Sequence, residues 1–259
     1  MALADHFREL RARLLKATLA LVVATIASFF IYDTLLDLIA NPYNDAVEAL
    51  GGADQARSEI YISGIGGGLM IQLKLCALSG VIVSSPVWLY QIWAFLLPGL
   101  RKNERRWTMI FVAIAGPLFA AGVALGYYVL PKGIKVLISF TPDNMQNLND
   151  FNDFFSFTTR MLLVFGVALE IPFFVILLNL AGIISGKALG RYRPWIILGT
   201  FVFAAVATPS TDPFSMLMLA FPMLVLFMLS EVIARLVDRR RGRGAVSTDA
   251  WDDDTASPL

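Results

Sequence analysis

Charged residues are scarce in this sequence. Only 16% of its 259 residues are Asp, Glu, Lys or Arg, whereas 57% are hydrophobic and the mean hydropathy is +0.68. A soluble domain carries about a quarter charged residues and buries its apolar side chains in one core. This chain has more apolar side chain than such a core can hold. The composition therefore excludes a soluble fold and favours a lipid bilayer as the surroundings.

Cysteine and histidine, which serve as metal ligands and in nucleophilic catalysis, are nearly absent. The sequence holds one cysteine, Cys76, and one histidine, His6. A single cysteine excludes an internal disulfide, and no residues show metal-ligand spacing. A catalytic triad would have to use the histidine at the extreme N-terminus, which argues against an enzyme. We expect no metal and no cofactor, and the net charge of +1 gives no reason to expect nucleic acid as a partner.

Six apolar segments predict an all-α, polytopic membrane protein with six transmembrane helices. A window of about 19 residues places them at 14–32, 69–90, 107–130, 158–181, 195–207 and 214–233. The first segment lacks a small-residue cleavage site followed by a polar domain, so we expect it to be retained. The fifth segment is short. As a helix it would be about 20 Å long, which is less than the hydrocarbon core of about 30 Å.

The basic residues are distributed asymmetrically about these segments. Four of the 21 lie on one side, at Arg57, Lys132, Lys135 and Arg160, and Lys74 lies within the second segment, while the other sixteen lie on the opposite side. The positive-inside rule makes the side with sixteen cytoplasmic, so both termini are predicted to be inside. Residues 1–237 form the predicted membrane domain, and 238–259 a disordered cytoplasmic tail.

Two positions inside the apolar segments are charged. Glu170 lies near the middle of the fourth segment, where a carboxylate costs at least about 2.5–3.5 kcal/mol on insertion scales. We therefore expect it to face a cavity or a partner in the outer half of the membrane, about 18 Å from the outer end of its helix. Lys74 lies about one turn inside the second segment. Outward snorkelling and a functional pairing explain it equally well.

Two prolines and one aspartate predict structural boundaries outside the membrane. Pro42 is expected to end a short amphipathic helix over 35–39. Asp212 precedes Pro213 and is typical of an N-cap followed by proline at the first helical position. The segment 131–157 is aromatic and rich in Asn and Asp, so it is predicted to be a loop on the membrane surface.

Several motifs, in this order and spacing, resemble one family. They are residues 6–14, 85–95 followed by 98–100 and 104–106, then 165–172 with Glu170, 193–194, and 208–212. Together they resemble the TatC subunit of the twin-arginine protein translocase over about residues 5 to 235. The resemblance implies a receptor in the inner membrane for signal peptides with paired arginines. It also implies export of folded proteins driven by the proton-motive force, in a complex with TatA- and TatB-type single-span partners.

The resemblance also assigns residues. It implies a cytoplasmic signal-binding surface, a buried polar site for partner contact at Glu170, and a structural role for Pro42 in the first outer loop. Judged by charge alone, Glu9 and Glu104 are better explained by local ion pairs with neighbouring basic residues. An alternative function is a proton-coupled small-molecule transporter with Glu170 as proton relay, but the inverted repeats it requires are not visible. The signal-binding surface that the resemblance implies comprises Glu9, Arg11, Phe95, Glu104 and Arg105.

Overall fold

The protein is described here by a computed structural model, which covers residues 3–51, 58–96, 105–142, 147–180, 182–208 and 213–240. Helices dominate these residues, as predicted. In chain order the elements are α1 (Leu3–Ser28), a 3₁₀ turn (Phe29–Ile31), α2 (Tyr32–Glu48), β1 (Ser58–Tyr61), α3 (Gly67–Val83), α4 (Ser85–Leu96), α5 (Arg105–Ser139), β2 (Asn147–Asp150), α6 (Phe151–Leu180), α7 (Gly186–Arg191), α8 (Arg193–Ala207) and α9 (Pro213–Arg240).

The apolar helices confirm the polytopic membrane fold. Four stretches of the described chain are long and apolar enough to cross a membrane, at Phe7–Glu48, Ile114–Ser139, Phe151–Leu180 and Pro213–Arg239. Helices α3 and α4 form a further stretch that bends by 56° between them. Pro86 follows the break and has no N–H to continue the helical ladder. Helix α8 is the predicted short apolar helix. The count of six crossings and their orientation stay predictions.

The prediction of a loop at 131–157 is wrong. Helix α5 continues through Pro131 to Ser139, and α6 begins at Phe151. Ile134 and Ile138 are buried in the main core, so packing in this part of α5 offsets the hydrogen bond that Pro131 cannot make. The hydropathy window placed the start of this helix at residue 158 rather than 151, because the first turns of α6 hold polar residues.

The prediction that Pro42 ends a helix is also wrong. Helix α2 runs on to Glu48 with Pro42 inside it, and it buries Ile39, Tyr43, Ala46 and Val47 along one face. The proline leaves the carbonyl of Leu38 without its helical donor, and the hydroxyl of Tyr127 supplies a 2.8 Å hydrogen bond to that oxygen. Burial of this face and the replacement donor allow the helix to continue.

Helices α5 and α6 approach each other closely at glycines. A Cβ on Gly122 would lie 2.5 Å from the carbonyl oxygen of Phe165, and one on Gly166 would lie 2.7 Å from the ring of Phe119. Gly126 follows Gly122 by four residues on the same face of α5. Small residues at this spacing let helix backbones pack directly, as is common between transmembrane helices.

A two-stranded parallel sheet covers one end of the bundle. Strand β1 pairs with β2 from Ser58 opposite Asn147 to Tyr61 opposite Asp150. The carboxylate of Asp150 accepts hydrogen bonds from the hydroxyl of Ser63 and the backbone N–H of Asn152, which lower the pKa of Asp150 below its ordinary value. Helices α3 and α6 start here. We call this the sheet end, and the end that holds the start of α1 the opposite end.

Candidate functional site

The start of α1 and the end of α4 lie together at the opposite end. Helix α1 packs along both α3 and α4, and the hydroxyl of Ser28 bonds to that of Ser79 at 3.0 Å. Because the end of α1 meets α3 and the rest of α1 packs along α4, which follows α3 in the chain, α1 runs antiparallel to this pair. Glu9, near the start of α1, and Phe95, near the end of α4, therefore belong to the same end of the bundle. The structure thus brings together two of the residues predicted to bind a signal peptide.

The carboxylate of Glu9 has one oxygen engaged. Arg13 donates from Nε at 2.9 Å and from Nη2 at 2.6 Å, both to Oε1. Within the described chain, Oε2 accepts no hydrogen bond. The side chain of Glu9 is 31% exposed, so an incoming cation can reach it. The local ion pair expected from charge spacing is present, and it leaves one carboxylate oxygen as an acceptor.

The other predicted members of this surface are described to different extents. Arg11 is exposed on α1 and Phe95 is half-buried on α4. Arg105 is the first residue of α5, where only the backbone is described, and Glu104 lies outside the described residues. Glu9, Arg11 and Phe95 thus share one end of the bundle, while the proposed pairing of Glu9 with Glu104 stays a prediction.

Glu170 is buried inside the bundle. Only 6% of the residue is exposed, and neither carboxylate oxygen has a hydrogen-bond partner within the described chain. Along α6 it shares a face with Gly166, which packs on the Phe119 ring, and with Phe173, which lies in a small apolar cluster with Trp93 and Leu177. A buried carboxylate without partners is costly, so this position is suited to a contact from outside the chain or to proton uptake.

A second unpartnered polar group lies in the same cluster. The indole Nε1 of Trp93 on α4 is buried and lacks an acceptor among the described residues, and its ring is 5.3 Å from that of Phe174. This region of α4 and α6 therefore holds a free donor as well as the free acceptor of Glu170.

The distance predicted between Glu170 and the outer end of its helix is wrong, whereas its place in the outer half of the membrane stays a prediction. Because α6 starts at Phe151, Glu170 lies about 28 Å from the start of the helix rather than about 18 Å. Two residues beyond it, the carbonyl of Pro172 accepts a 2.9 Å hydrogen bond from Ser230 on α9. Glu231 follows directly and joins the ion pairs at the opposite end. Glu170 therefore lies in the half of α6 that is farther from the sheet.

An ionic cluster at the opposite end was missed by the sequence analysis. Glu231 on α9 accepts two bonds from Arg193 on α8, at 3.0 and 2.7 Å, and forms an ion pair with Arg235 at 2.7 Å. The Glu231 side chain is only 9% exposed. Its i,i+4 spacing to Arg235 was the available signal. The contact with Arg193 joins residues far apart in sequence.

A second part of this cluster fixes the connection between α6 and α7. Asp238 accepts hydrogen bonds from the side-chain amide of Asn179 at 3.1 Å and from the backbone N–H of Gly186 at 2.6 Å. A Cβ on Gly186 would collide with the backbone of Arg235. Asp238 belongs to α9, which continues past the start of the predicted tail to Arg240; the rest of that tail lies outside the described residues.

The three residues predicted to be structural have different outcomes. Pro42 lies inside α2, as described above. Lys74 on α3 directs its ammonium to the side-chain oxygen of Asn152, at 3.3 Å, toward the sheet end. Asp212 lies outside the described residues, although α9 does begin at Pro213.

Sequence comparison decides the family. The family model for the Sec-independent protein translocase protein (TatC) matches residues 5–222. The chain belongs to the TatC family. A TatC protein of Frankia casuarinae is 41% identical, over 100% of this chain and 73% of the relative, and one of Corynebacterium kroppenstedtii is 36% identical, over 100% and 67%.

Solved structures agree with this assignment. A crystal structure of the twin-arginine translocase receptor TatC superposes with a TM-score of 0.71 at 28% identity, covering 90% of this chain and 100% of the other. A second, determined in the detergent DDM, gives a TM-score of 0.72 over 88% and 99%. TatC membership makes this chain a multi-pass membrane subunit of the Sec-independent translocase, which works with other Tat components. The small-molecule transporter alternative is not supported.

Proposed function

We propose that this chain is the signal-peptide receptor of its translocase and binds paired arginines at the opposite end of the bundle. The observation that carries the proposal is the partly exposed carboxylate of Glu9, with one oxygen free of hydrogen bonds from the described chain. A guanidinium presents a planar fork of donors that fits a carboxylate and keeps its charge. With Glu104 as a second acceptor, two adjacent arginines would be distinguished from two lysines.

The proposed orientation places this end in the cytoplasm of an inner membrane, with both termini inside. The support is the distribution of basic residues, sixteen at this side against four at the other. Signal peptides arrive from the cytoplasm, so the orientation and the receptor role require each other. Six crossings follow if α8 spans the membrane together with the five longer stretches.

The partners we propose are TatA- and TatB-type single-span proteins, in an oligomeric complex. Glu170 supports a contact of this kind because it is buried and unpartnered within the described chain. A polar group on a partner helix would satisfy it. We propose that the chain itself performs no catalysis and that the proton-motive force drives export.

Photo-crosslinking tests the receptor proposal. A twin-arginine signal peptide that carries a photoreactive residue is added to membranes with the wild type, Glu9→Lys or Glu104→Lys. We expect about ten-fold fewer crosslinks for Glu104→Lys, because one charge-assisted contact is replaced by repulsion. Glu9→Lys should show a smaller loss, because Glu9 is partly engaged with Arg13.

Glu48→Lys is the matched control. Glu48 is exposed at the end of α2, on the sheet end, so its reversal should leave the crosslinks unchanged. A peptide with two lysines should crosslink poorly to the wild type. If Glu9→Lys and Glu104→Lys both leave the yield intact while the proteins accumulate normally, these carboxylates do not bind the signal peptide.

A further inference from the structure

A groove of about 390 Å³ runs between α3 and α6 near the sheet end. Its walls come from one face of each helix, since the lining positions recur every three or four residues. The α3 wall includes Ala77 and Val81, and the α6 wall includes Leu163. The complete lining is Lys74, Ala77, Leu78, Val81, Phe155, Ser156, Thr159, Arg160 and Leu163.

Two cations face this groove from opposite walls at similar depth. Lys74 lies about 10 Å along α3 from its start, and Arg160 about 13 Å along α6 from its start. Both are exposed on the surface of the bundle. No ion pair in the described chain includes either residue, because the pairs there belong to Glu9 and Glu231. Two positive charges near the sheet end therefore have no carboxylate within 4 Å among the described residues.

The polar contacts inside the chain neutralise only part of this charge. Lys74 donates to the amide oxygen of Asn152, which is uncharged. Asp150 is close enough to interact with Lys74 electrostatically and offsets part of this charge. Arg160 forms no ion pair within the described chain, so two cations against one carboxylate leave the groove with a net positive charge. A cation near the membrane surface gains about 1 kcal/mol from anionic lipid, so an anion from outside the chain would stabilise both residues.

A hydroxyl next to Arg160 adds a hydrogen-bond donor. The Oγ1 of Thr159 is buried and has no hydrogen-bond partner within the described chain. The hydroxyl of Ser156, one turn earlier, already donates to the backbone oxygen of Asn152 at 2.7 Å. The groove thus offers an ammonium, a guanidinium and one free hydroxyl above an apolar floor.

We propose that this groove binds an anionic phospholipid. The phosphate would lie between Lys74 and Arg160 and accept a hydrogen bond from Thr159, while an acyl chain lies along Ala77, Val81 and Leu163. An amine headgroup would bring a further positive charge next to the two cations, so a net anionic lipid such as phosphatidylglycerol fits better than a zwitterionic one. Free phosphate would leave the apolar floor uncovered. The proposal requires only a membrane-embedded chain and not the receptor role.

Native mass spectrometry of the delipidated full chain in detergent tests this proposal. Phosphatidylglycerol and phosphatidylcholine are titrated into the wild type, Lys74→Gln, Arg160→Gln and the double variant. Each basic residue near lipid phosphate changes affinity about five-fold, so we expect the double variant to bind phosphatidylglycerol about thirty-fold more weakly. Binding of phosphatidylcholine should be weaker than that of phosphatidylglycerol in the wild type and change less.

Lys132→Gln is the matched control, because it removes a cation from α5 near the sheet end that contacts the Tyr128 ring and does not line the groove. It should keep wild-type affinity, and millimolar inorganic phosphate should not displace the lipid. Equal phosphatidylglycerol binding by the wild type and the double variant would overturn the proposal. A loss of phosphatidylglycerol affinity in Lys132→Gln as large as that in the double variant would also overturn it.

A photoreactive residue at Ala77 in native membranes separates lipid from protein as the occupant. Mass spectrometry of the adducts should find phospholipid on the wild type and less of it on the Lys74→Gln, Arg160→Gln variant. Adducts dominated by a single-span protein would show that the two cations serve a helix with an acidic side chain, and the lipid assignment would be wrong. Because signal-peptide crosslinking is measured separately, failure here is distinct from failure of the receptor role.

Discussion

The hydroxyl of Tyr127 on α5 donates a hydrogen bond of 2.8 Å to the carbonyl oxygen of Leu38 on α2. In an unbroken α-helix the N–H of residue 42 would bond to that oxygen, but Pro42 has none. About two turns further along α5, Lys135 donates to the carbonyl of Ala49, just beyond the end of α2, at 2.8 Å. Helix α5 thus supplies donors to the two places where α2 lacks its own.

Replacement of the tyrosine hydroxyl should expose this dependence. We expect Tyr127→Phe to lower the free energy of unfolding in detergent by about 1 kcal/mol, the usual net value of one hydrogen bond. In a Pro42→Ala background the N–H of residue 42 can bond to Leu38, so the same substitution should cost much less. Thermal unfolding of the four proteins forms a double-mutant cycle.

Tyr192→Phe is the control for this cycle, because Tyr192 is exposed at the opposite end. It should be neutral in both backgrounds. An equal cost of Tyr127→Phe with and without Pro42 would mean that the hydroxyl acts through packing and not through the Leu38 carbonyl.

The close contact between α5 and α6 predicts that alanine destabilises the protein at Gly122, which lies in this contact, and not at Gly199, which lies outside it. Gly122→Ala places a methyl group 2.5 Å from the Phe165 carbonyl oxygen, so the helices must separate, and we expect a loss of about 1–3 kcal/mol. Gly199→Ala on α8 meets nothing within 4 Å and should be neutral, or stabilising by up to about 1 kcal/mol. Thermal unfolding of both variants in one detergent makes the comparison. Equal stability of the two would show that α5 and α6 are not held by this backbone contact.

Hydropathy predicted where the long helices lie but not where they end. Apolar runs identify α6 and α9 because a bilayer selects for composition over about 20 residues. Helix ends depend on tertiary contacts instead. Pro42 and Pro131 both indicate helix breaks in sequence, yet each lies inside a helix that buries an apolar face in the main core. The replacement donor at Tyr127 lies far from Leu38 in sequence and has no local signature.

The candidate site was predictable only in part for a similar reason. The buried position of Glu170 follows from the cost of a carboxylate in an apolar segment. The distance of Glu170 from the start of α6 could not be predicted in the same way, because it depends on where α6 begins. Arg193 was counted as a topology marker, whereas its guanidinium is committed to Glu231 on another helix. Charge counts show which side a residue faces and give no information on its partner.

The orientation in the membrane can be measured with single cysteines. In a Cys76→Ala background, Lys187→Cys lies exposed on α7 at the opposite end and Glu48→Cys lies exposed on α2 at the sheet end. An impermeant maleimide added to intact cells should label the cysteine at 48 and not the one at 187, because the basic end is predicted to be cytoplasmic. Permeabilised cells should label both. Labelling of the cysteine at 187 from outside would reverse the proposed orientation.

The last prediction separates the two possible roles of Glu170. If the carboxylate only fills space, Leu should replace it well; if it contacts a partner, loss of the polar atoms should impair transport. We expect Glu170→Leu to keep or raise the thermal stability, because it removes an unpartnered buried carboxylate, and to lose export of folded cargo. Glu170→Gln keeps a polar group that can hydrogen bond, so it should retain partial export. Crosslinks to single-span partners should change in parallel with export.

Thr158→Val provides the comparison on the same helix. The Thr158 hydroxyl is also buried without a partner in the described chain, but the residue lies nearer the sheet end, about 18 Å from Glu170 along α6. Loss of this hydroxyl should leave export and partner crosslinks unchanged, because removal of a buried unsatisfied hydroxyl does not disturb a site so far away.

Full export by Glu170→Leu with unaltered crosslinks would show that the carboxylate is a packing residue. Equal defects in Glu170→Leu and Thr158→Val would attribute the effect to α6 packing in general. Only a defect confined to residue 170, with partial rescue by Gln, supports a polar contact with a partner helix at this depth.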